Sequence, residues 1–261
     1  MPRKTVQGFL HTITLALCLT PFGGAGAVIS AIPGGFNPSV GPRFRDAGRI
    51  VATTQLADGR ICIVGSFTEV NGVPRTNLAV IFPDGTVDPG FASGGPATTE
   101  RLLAPGTANT PAVRGHSVLA ATPDGGVIVS GWADEGTRSG LLWRYDRTGV
   151  RDLAFDPSFS AATVSRAASV DQLRVQPDGR ILVLGFFSGV DGHSRYLLAR
   201  LLPTGQVDPS FVPDPSPFLD PMTVFHGLEV QADGKVIVAG GILASANTPS
   251  RPILQRLAAD G

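Results

Sequence analysis

The chain carries little charge and no excess of either sign. Lys and Arg together number 21, Asp and Glu also number 21, and charged residues make up only 16% of the 261 residues. A chain without net charge lacks the basic field that attracts nucleic acids or anionic lipid surfaces. The sequence therefore predicts that neither is a partner.

Cysteine and histidine are also scarce. Of the two cysteines, Cys18 lies in a segment predicted below to be removed, so the mature chain has one thiol and no intramolecular disulfide. Cys62 lies in an apolar strand pattern, which favours a buried and unreactive thiol. The four histidines include no spaced pair of the His-x-x-x-His kind, so we expect no metal and no cofactor.

Only the N-terminal segment contains a long apolar run. Arg3 and Lys4 precede the run Phe9–Phe22, and the small-residue triplet Ala25-Gly26-Ala27 follows it. This order is typical of a signal peptide, and the run ends before the ~20 residues that a bilayer span needs. We therefore predict a cleaved signal peptide at residues 1–27. The mature chain, without a membrane span, would be secreted, periplasmic or at the cell surface.

Glycine and proline are abundant, with 33 and 22 residues, and they punctuate a repeat. An Asp-Gly turn, a β-branched run and a second glycine occur together four times: Gln55–Gly65, Ala121–Gly131, Gln176–Gly185 and Gln231–Gly240. Each copy predicts a tight hairpin whose turn ends on a left-handed glycine. A polar loop, a third apolar strand and a short segment with the spacing Gly-x-x-Asp-x-x-Phe follow, and the last segment is predicted to be a fourth strand.

The four units occupy about residues 50–91, 114–159, 171–211 and 226–261 of a domain covering residues 28–261. Each is predicted to be a four-stranded antiparallel meander. A single unit of this size cannot bury both faces of its sheet, so neighbouring units must stack, and closing the stack into a ring covers its end faces. We therefore predict an all-β fold, a β-propeller of four-stranded antiparallel blades. The Gly- and Pro-rich insert at residues 92–111 is predicted to be a surface loop.

The closure of such a ring has two open interpretations. The fourth unit stops at Gly261, where its fourth strand should begin, while Phe36 stands at the fourth-strand spacing before Gly59. In one interpretation, residues 28–36 complete the last blade and close a ring of four. In the other, further blades are missing from this chain.

Several motifs of the third unit resemble those of the bacterial delta-60 repeat, and also a domain of unknown function classed with β-propellers. They are the run Gln176–Gly185, the loop Asp191-Gly192-x-x-Arg195, Leu198–Leu201 and Val207–Phe211. The resemblance covers nearly the whole mature chain. It implies an exported bacterial repeat protein and brings no known catalytic residues. The second unit departs from the pattern, with Arg147-Thr148-Gly149 at one turn and a doubled ending through Phe159.

Two sets of residues are candidates for a ligand-binding face. Arginines recur in the second loop of the units, and histidines precede the first strand of two units: Arg75, Arg138, Arg195, Arg251, His116 and His226. A ring of guanidinium groups would bind carboxylates or sulfated sugars. We favour a structural role, in which each arginine bonds the Asp of the fourth-strand segment or bare backbone carbonyls.

The sequence favours a non-catalytic function, either presenting loops to a protein or glycan ligand or acting as a structural module. The alternative is a propeller-type polysaccharide hydrolase or lyase, which would need two or more carboxylates at one channel mouth. Most acidic residues occupy recurrent turn positions. The exceptions are Glu69, Glu100, Asp134, Glu135, Asp171 and Glu229.

Overall fold

The computed structural model describes residues 49–91, 118–130, 142–161, 168–216, 223–243 and 249–261. Within these ranges no helix has the length and apolar character required to cross a bilayer. Several predictions fall outside the described residues: the signal peptide at 1–27, the closing strand at 28–36, the insert at 92–111, His116 and Arg138.

The regular elements of the described ranges are β-strands. In chain order they are β1 (Arg49–Gln55), β2 (Ile61–Ser66), β3 (Glu69–Val70), β4 (Val73–Pro74), β5 (Leu78–Ile81), β6 (Leu119–Ala121), β7 (Val127–Ser130), β8 (Leu142–Tyr145), β9 (Phe159–Ser160), β10 (Ser169–Val175), β11 (Ile181–Phe186), β12 (Gly189–Val190), β13 (His193–Ser194), β14 (Leu198–Leu201), β15 (Thr223–Val230), β16 (Val236–Ile242) and β17 (Arg251–Leu257).

Four antiparallel sheets of three strands correspond to the four sequence units. Their strand orders are β1-β2-β5, β6-β7-β8, β10-β11-β14 and β15-β16-β17, which we number as the first to the fourth sheet. The all-β content and the three apolar strands predicted for each unit are thereby confirmed.

The first hairpin of each unit has the turn that its Asp-Gly pair predicts. In the first unit, Leu56 N donates to Arg60 O at 2.8 Å and Gly59 N donates to Leu56 O at 3.0 Å. Gly59 has a φ of 89°, and its three counterparts also have positive φ: Gly125, Gly179 and Gly234. Glycine is required here because side chains with a Cβ are strained in this region of backbone conformation.

The second recurrent glycine is explained by a bulge in the first strand. The pairing of β10 with β11 shifts between Val170 and Gln172, and the same shift occurs in β1 and β15. The bulge brings the backbone of the first strand onto Gly185, so that a Cβ there would overlap Ser169 O and lie 2.8 Å from Val170 Cα. Gly65 and Gly240 have the same surroundings. This glycine is therefore kept for close backbone approach rather than for a turn.

In place of the predicted fourth strand, each of the first three units has one isolated bridge. The bridges are Ile81–Val87, Tyr145–Arg151 and Leu201–Val207. After each bridge, the Asp of the motif turns the chain away by accepting a hydrogen bond from the backbone N–H two residues later, from Gly90, Ala154 or Ser210 at 2.8–3.0 Å. The turn ends pairing and buries the phenylalanine of the motif. A four-stranded blade stays a prediction.

The polar loops of the first and third units are short hairpins, as their Asn-Gly and Asp-Gly pairs predict. β3 pairs with β4 and β12 pairs with β13. Both central residues of each turn have positive φ, 50° and 76° at Asn71 and Gly72 and nearly the same at Asp191 and Gly192. Such turns match the twist of the strands they join.

The sheets pack face to face in chain order through apolar cores. One core contains residues of the first and second sheets, the next joins the second to the third, and another joins the third to the fourth. The phenylalanines Phe91, Phe155 and Phe211 each lie in one of these cores, in that order. We call each of these sheet-to-sheet contacts a seam.

No described residue outside the fourth unit belongs to an apolar core on the far face of the fourth sheet. Leu254 on β17 is 77% exposed, whereas its counterparts on the third strands of the other sheets, Leu78, Leu142 and Leu198, are at most 1% exposed. Closure of the four sheets into a ring therefore stays a prediction.

Candidate functional site: a cleft between the second and third sheets

The predicted loop arginines that the structure describes bond within their own units. Arg75 donates from Nη1 to Pro74 O at 2.8 Å and from Nη2 to Asp88 O at 3.3 Å. Arg195 donates from Nη1 to Ser194 O at 2.8 Å. Both make the backbone contacts that a structural role requires, whereas their role in ligand binding stays a prediction.

The remaining candidates are dispersed. Arg251 is exposed on β17, and His226 is the exposed bulge residue of β15. Among the described residues, no hydrogen bond or ion pair joins any two of the predicted site residues. Of the acids that an enzyme would need, Glu229 pairs with Arg174 at 3.3 Å and is exposed, while Glu100, Asp134 and Glu135 lie outside the described residues.

A different pair of arginines, on the third strands, links neighbouring units. Arg144 on β8 donates from Nη1 to Pro203 O at 2.8 Å, and Arg200 on β14 donates from Nη1 to Ala259 O at 2.6 Å. In both cases the acceptor belongs to the third turn of the next unit. Our sequence prediction missed these residues because Val80 holds the position in the first unit. The signal was present in the Arg that recurs before the last residue of β8, β14 and β17.

Arg200 is buried and all of its contacts are structural. Its Nε donates to Asp208 at 2.7 Å, its Nη2 donates to Ser210 at 3.2 Å, and its guanidinium lies 4.6 Å from the centre of the Phe211 ring. With these contacts Arg200 is only 6% exposed, so it offers little surface to a ligand.

Arg144 takes a different position, because the second unit lacks a basic residue after its Asp-Gly pair. Arg60 and Arg180 pair with the turn carboxylates Asp58 and Asp178, but Gly126 has no side chain to offer Asp124. Arg144 supplies the missing partner, with Nη2 2.6 Å from Asp124 Oδ2. Asp152 is the counterpart of Asp208, but its Oδ2 lies 4.0 Å from Arg144 Nη1 and its side chain is 40% exposed.

This rearrangement accompanies a cleft of about 250 Å³ in the seam between the second and third sheets. Ile128 and Ile181, each 1% exposed, contribute apolar lining from the two sheets. The prolines Pro123, Pro177 and Pro203 and the charged side chains of Asp124, Arg144 and Asp178 complete most of its wall.

Both cleft carboxylates are held in the ionised form. Burial alone would raise the pKa of Asp124, but hydrogen bonds from Thr122 and Arg144 outweigh it and hold the pKa below the ordinary value of 3.8. At Asp178 burial is likewise outweighed by the backbone and side chain of Arg180, which lower the pKa. At neutral pH these groups accept hydrogen bonds and do not supply protons.

The described parts of the chain contain no group of three or more His, Cys, Asp or Glu side chains able to hold a metal ion. Cys62 is fully buried, and burial raises the pKa of its thiol. The chemistry that the cleft offers is therefore apolar contact together with hydrogen bonding at its charged wall.

Comparison with known proteins agrees with the fold expected from the repeat. Three segments, residues 56–91, 176–211 and 231–261, match a family described as "Domain of unknown function (DUF5122) beta-propeller". Neither a curated protein nor a solved structure matches the chain significantly. The likeness to the delta-60 repeat stays a prediction. Over its first, third and fourth units, the chain is similar to a β-propeller family of unknown function.

Proposed function

We propose that this chain is an exported β-propeller repeat protein with a non-catalytic role, in which the cleft between the second and third sheets binds part of a protein or glycan ligand. Support for a propeller comes from the family match together with four sheets of the same strand order. Support for export comes from the signal-peptide pattern of residues 1–27.

The observation that carries the binding proposal is the departure of the second unit from the repeat. Gly126 removes a basic side chain, Arg144 moves to Asp124, and a cleft lined by two isoleucines and three prolines accompanies the change. In the seam between the third and fourth sheets, the corresponding Arg200 is instead buried and donates to Asp208 and Ser210. A concave apolar lining with a few oriented polar groups is the usual composition of a binding site.

The complete blades belong to the same proposal. We assign a fourth strand to each blade around the isolated bridges, and residues 28–36 to the outer edge of the fourth sheet. Support for the second assignment is the spacing from Phe36 to Gly59, which nearly equals that from Phe155 to Gly179 and from Phe211 to Gly234.

Export is tested by fractionating cells that produce the full chain and sequencing the N-terminus of the exported form. We expect a mature protein that begins at Val28. A chain that stays inside the cell with its first 27 residues intact would contradict this part of the proposal.

Binding and catalysis are separated by one experiment on the exported chain. Panels of proteins and polysaccharides are passed over the immobilised protein, and the same polysaccharides are assayed for new reducing ends or unsaturated products. We expect retention without product, weakened by Arg144→Ala and unchanged by Arg256→Ala, the exposed counterpart of Arg144 in the fourth unit. Product formation would support the polysaccharide hydrolase or lyase instead. If Arg144→Ala leaves the retention unchanged, the ligand does not bind at the cleft.

A further inference from the structure

The three prolines distinguish this cleft from the equivalent places in the other seams. Pro123 and Pro177 are the first-turn residues of the second and third units, and Pro203 is a third-turn residue. All three are exposed. In the seams on either side, at least one of the same turn positions is alanine: Ala57, Ala232 and Ala259. The seam with the cleft is therefore the one that carries a proline at every position.

The size and chemistry of the cleft suit a single planar ring. Its volume of about 250 Å³ is below the ~300–1,000 Å³ of sites that enclose a whole small molecule. The exposed pyrrolidine rings offer apolar surface to the faces of a ring, and Ile128 and Ile181 contribute the buried part of the lining. The oxygens of Asp124 and Asp178 offer acceptors to a donor at its edge. Indole and phenol rings combine an apolar body with one polar hydrogen, and such side chains are the commonest anchors of protein interfaces.

Exposed apolar side chains on either side of Asp152 favour a protein over a glycan. Asp152, within 4.0 Å of Arg144, lies in sequence between Val150 and Leu153, which are 64% and 77% exposed. The first and third units have Thr86 and Gln206 in place of Val150, and proline in place of Leu153. A protein partner buries such side chains at its interface, whereas a glycan, whose surface is mostly hydroxyl groups, gains less from them.

We propose that the cleft receives a Trp or Tyr side chain of a partner protein, whose flanking residues cover Val150 and Leu153. This inference rests on the proposed binding function and names its ligand class. The ring packs between the prolines and over Ile128 and Ile181, and its N–H or O–H donates to a cleft carboxylate.

The test is a titration of the folded full chain with small probes, observed through ¹³C-labelled isoleucine δ1 methyl groups. The probes are indole, 1-methylindole and cellobiose. We expect indole to shift the methyl resonances of Ile128 and Ile181 and to leave that of Ile63, in the first sheet, unchanged. 1-Methylindole, which has lost its donor, should bind about fivefold more weakly.

The matched variant replaces Pro123, Pro177 and Pro203 together by alanine, the residue that other units have at these turns. We expect it to keep the dispersed methyl spectrum of the folded chain and to bind indole about tenfold more weakly. Pro83→Ala, at the third turn of the first unit, should change nothing. If the triple variant unfolds, the comparison of indole with 1-methylindole in the unchanged chain still decides.

The outcomes separate this inference from the proposed function. Shifts of Ile128 and Ile181 by cellobiose but not by indole would overturn the aromatic ligand and keep a binding cleft. Equal binding of indole and 1-methylindole would overturn the hydrogen bond to the carboxylates. If no probe shifts the methyl resonances, the inference is wrong. The retention experiment described under the proposed function then tests ligand binding independently.

Discussion

Replacing Gly185 by alanine tests the account of the bulged first strand. A Cβ at this position would lie 2.8 Å from Val170 Cα and would overlap Ser169 O. Carbon atoms pack best at about 3.5–4.0 Å, so the backbones of β10 and β11 must separate or the bulge must be lost. Neither collision partner is a side chain that can rotate away. We therefore expect the free energy of unfolding to fall by about 3 kcal/mol, at the upper end of ordinary overpacking.

The assay is urea unfolding of the purified chain, followed by circular dichroism and by tryptophan fluorescence. The matched control is Gly90→Ala, because among the described residues a Cβ there would meet only Asp88 Oδ1, at 3.2 Å, and the second unit has Ala154 at the same position. This control should change the free energy of unfolding by less than about 0.5 kcal/mol. If Gly185→Ala and Gly90→Ala have the same unfolding midpoint, the close approach of the two backbones does not exist in solution.

Three further predictions concern the seams and their charges. Arg200→Ala should lower the free energy of unfolding by about 2–3 kcal/mol, since the buried carboxylate of Asp208 loses its 2.7 Å hydrogen bond from Arg200 and keeps the 3.2 Å contact with Arg180 and the hydrogen bonds from Ser210. The more exposed Arg144→Ala should cost about 1 kcal/mol, and equal urea midpoints for the two variants would contradict this. Hydrogen bonds hold the pKa values of the turn carboxylates below 3.8 in the folded chain, so the unfolded chain takes up protons first as the pH falls. The free energy of unfolding should therefore decrease as the pH drops from about 5. Urea midpoints at pH 7, 5, 4 and 3 measure this decrease. Midpoints that stay constant down to pH 3 would refute it. Asn77 has a φ of 64°, and its side-chain amide is fully buried without a hydrogen-bond partner among the described residues. Asn77→Leu, which gives this position the residue of the third unit, should therefore raise the melting temperature. A lower melting temperature would contradict this prediction.

The hairpins were predictable because their chemistry is local. An Asp-Gly or Asn-Gly pair between apolar runs fixes a turn within four or five residues, and the structure confirms the positive φ at Gly59, Gly179 and Gly234. The fourth strand stays a prediction, because the spacing does not show that the side chains of Asp88 and Asp208 accept a backbone N–H just after a single isolated bridge. Local patterns thus predicted where the chain reverses but not how far strands pair.

The cleft could not be found from the sequence, because it accompanies the absence of a side chain at Gly126. Its effect appears only when Arg144 is seen to turn toward Asp124 and the next sheet is in place. The loop arginines were predicted because they recur in every unit, and Arg75 and Arg195 donate to backbone carbonyls of their own units. The candidate site lies at the unit that departs from the repeat, at Gly126 and Arg144.

The bond that Arg144 and Arg200 make to the following unit has a consequence for how such a protein diverges. The acceptor is a peptide carbonyl, of Pro203 in one seam and of Ala259 in the next, so the bond makes no demand on the side chain at that turn. Mutation is free to alter the outer surface at these turns while the attachment between units persists. Duplicated units could then diverge in the side chains at these turns while the hydrogen bond between neighbouring sheets stays the same.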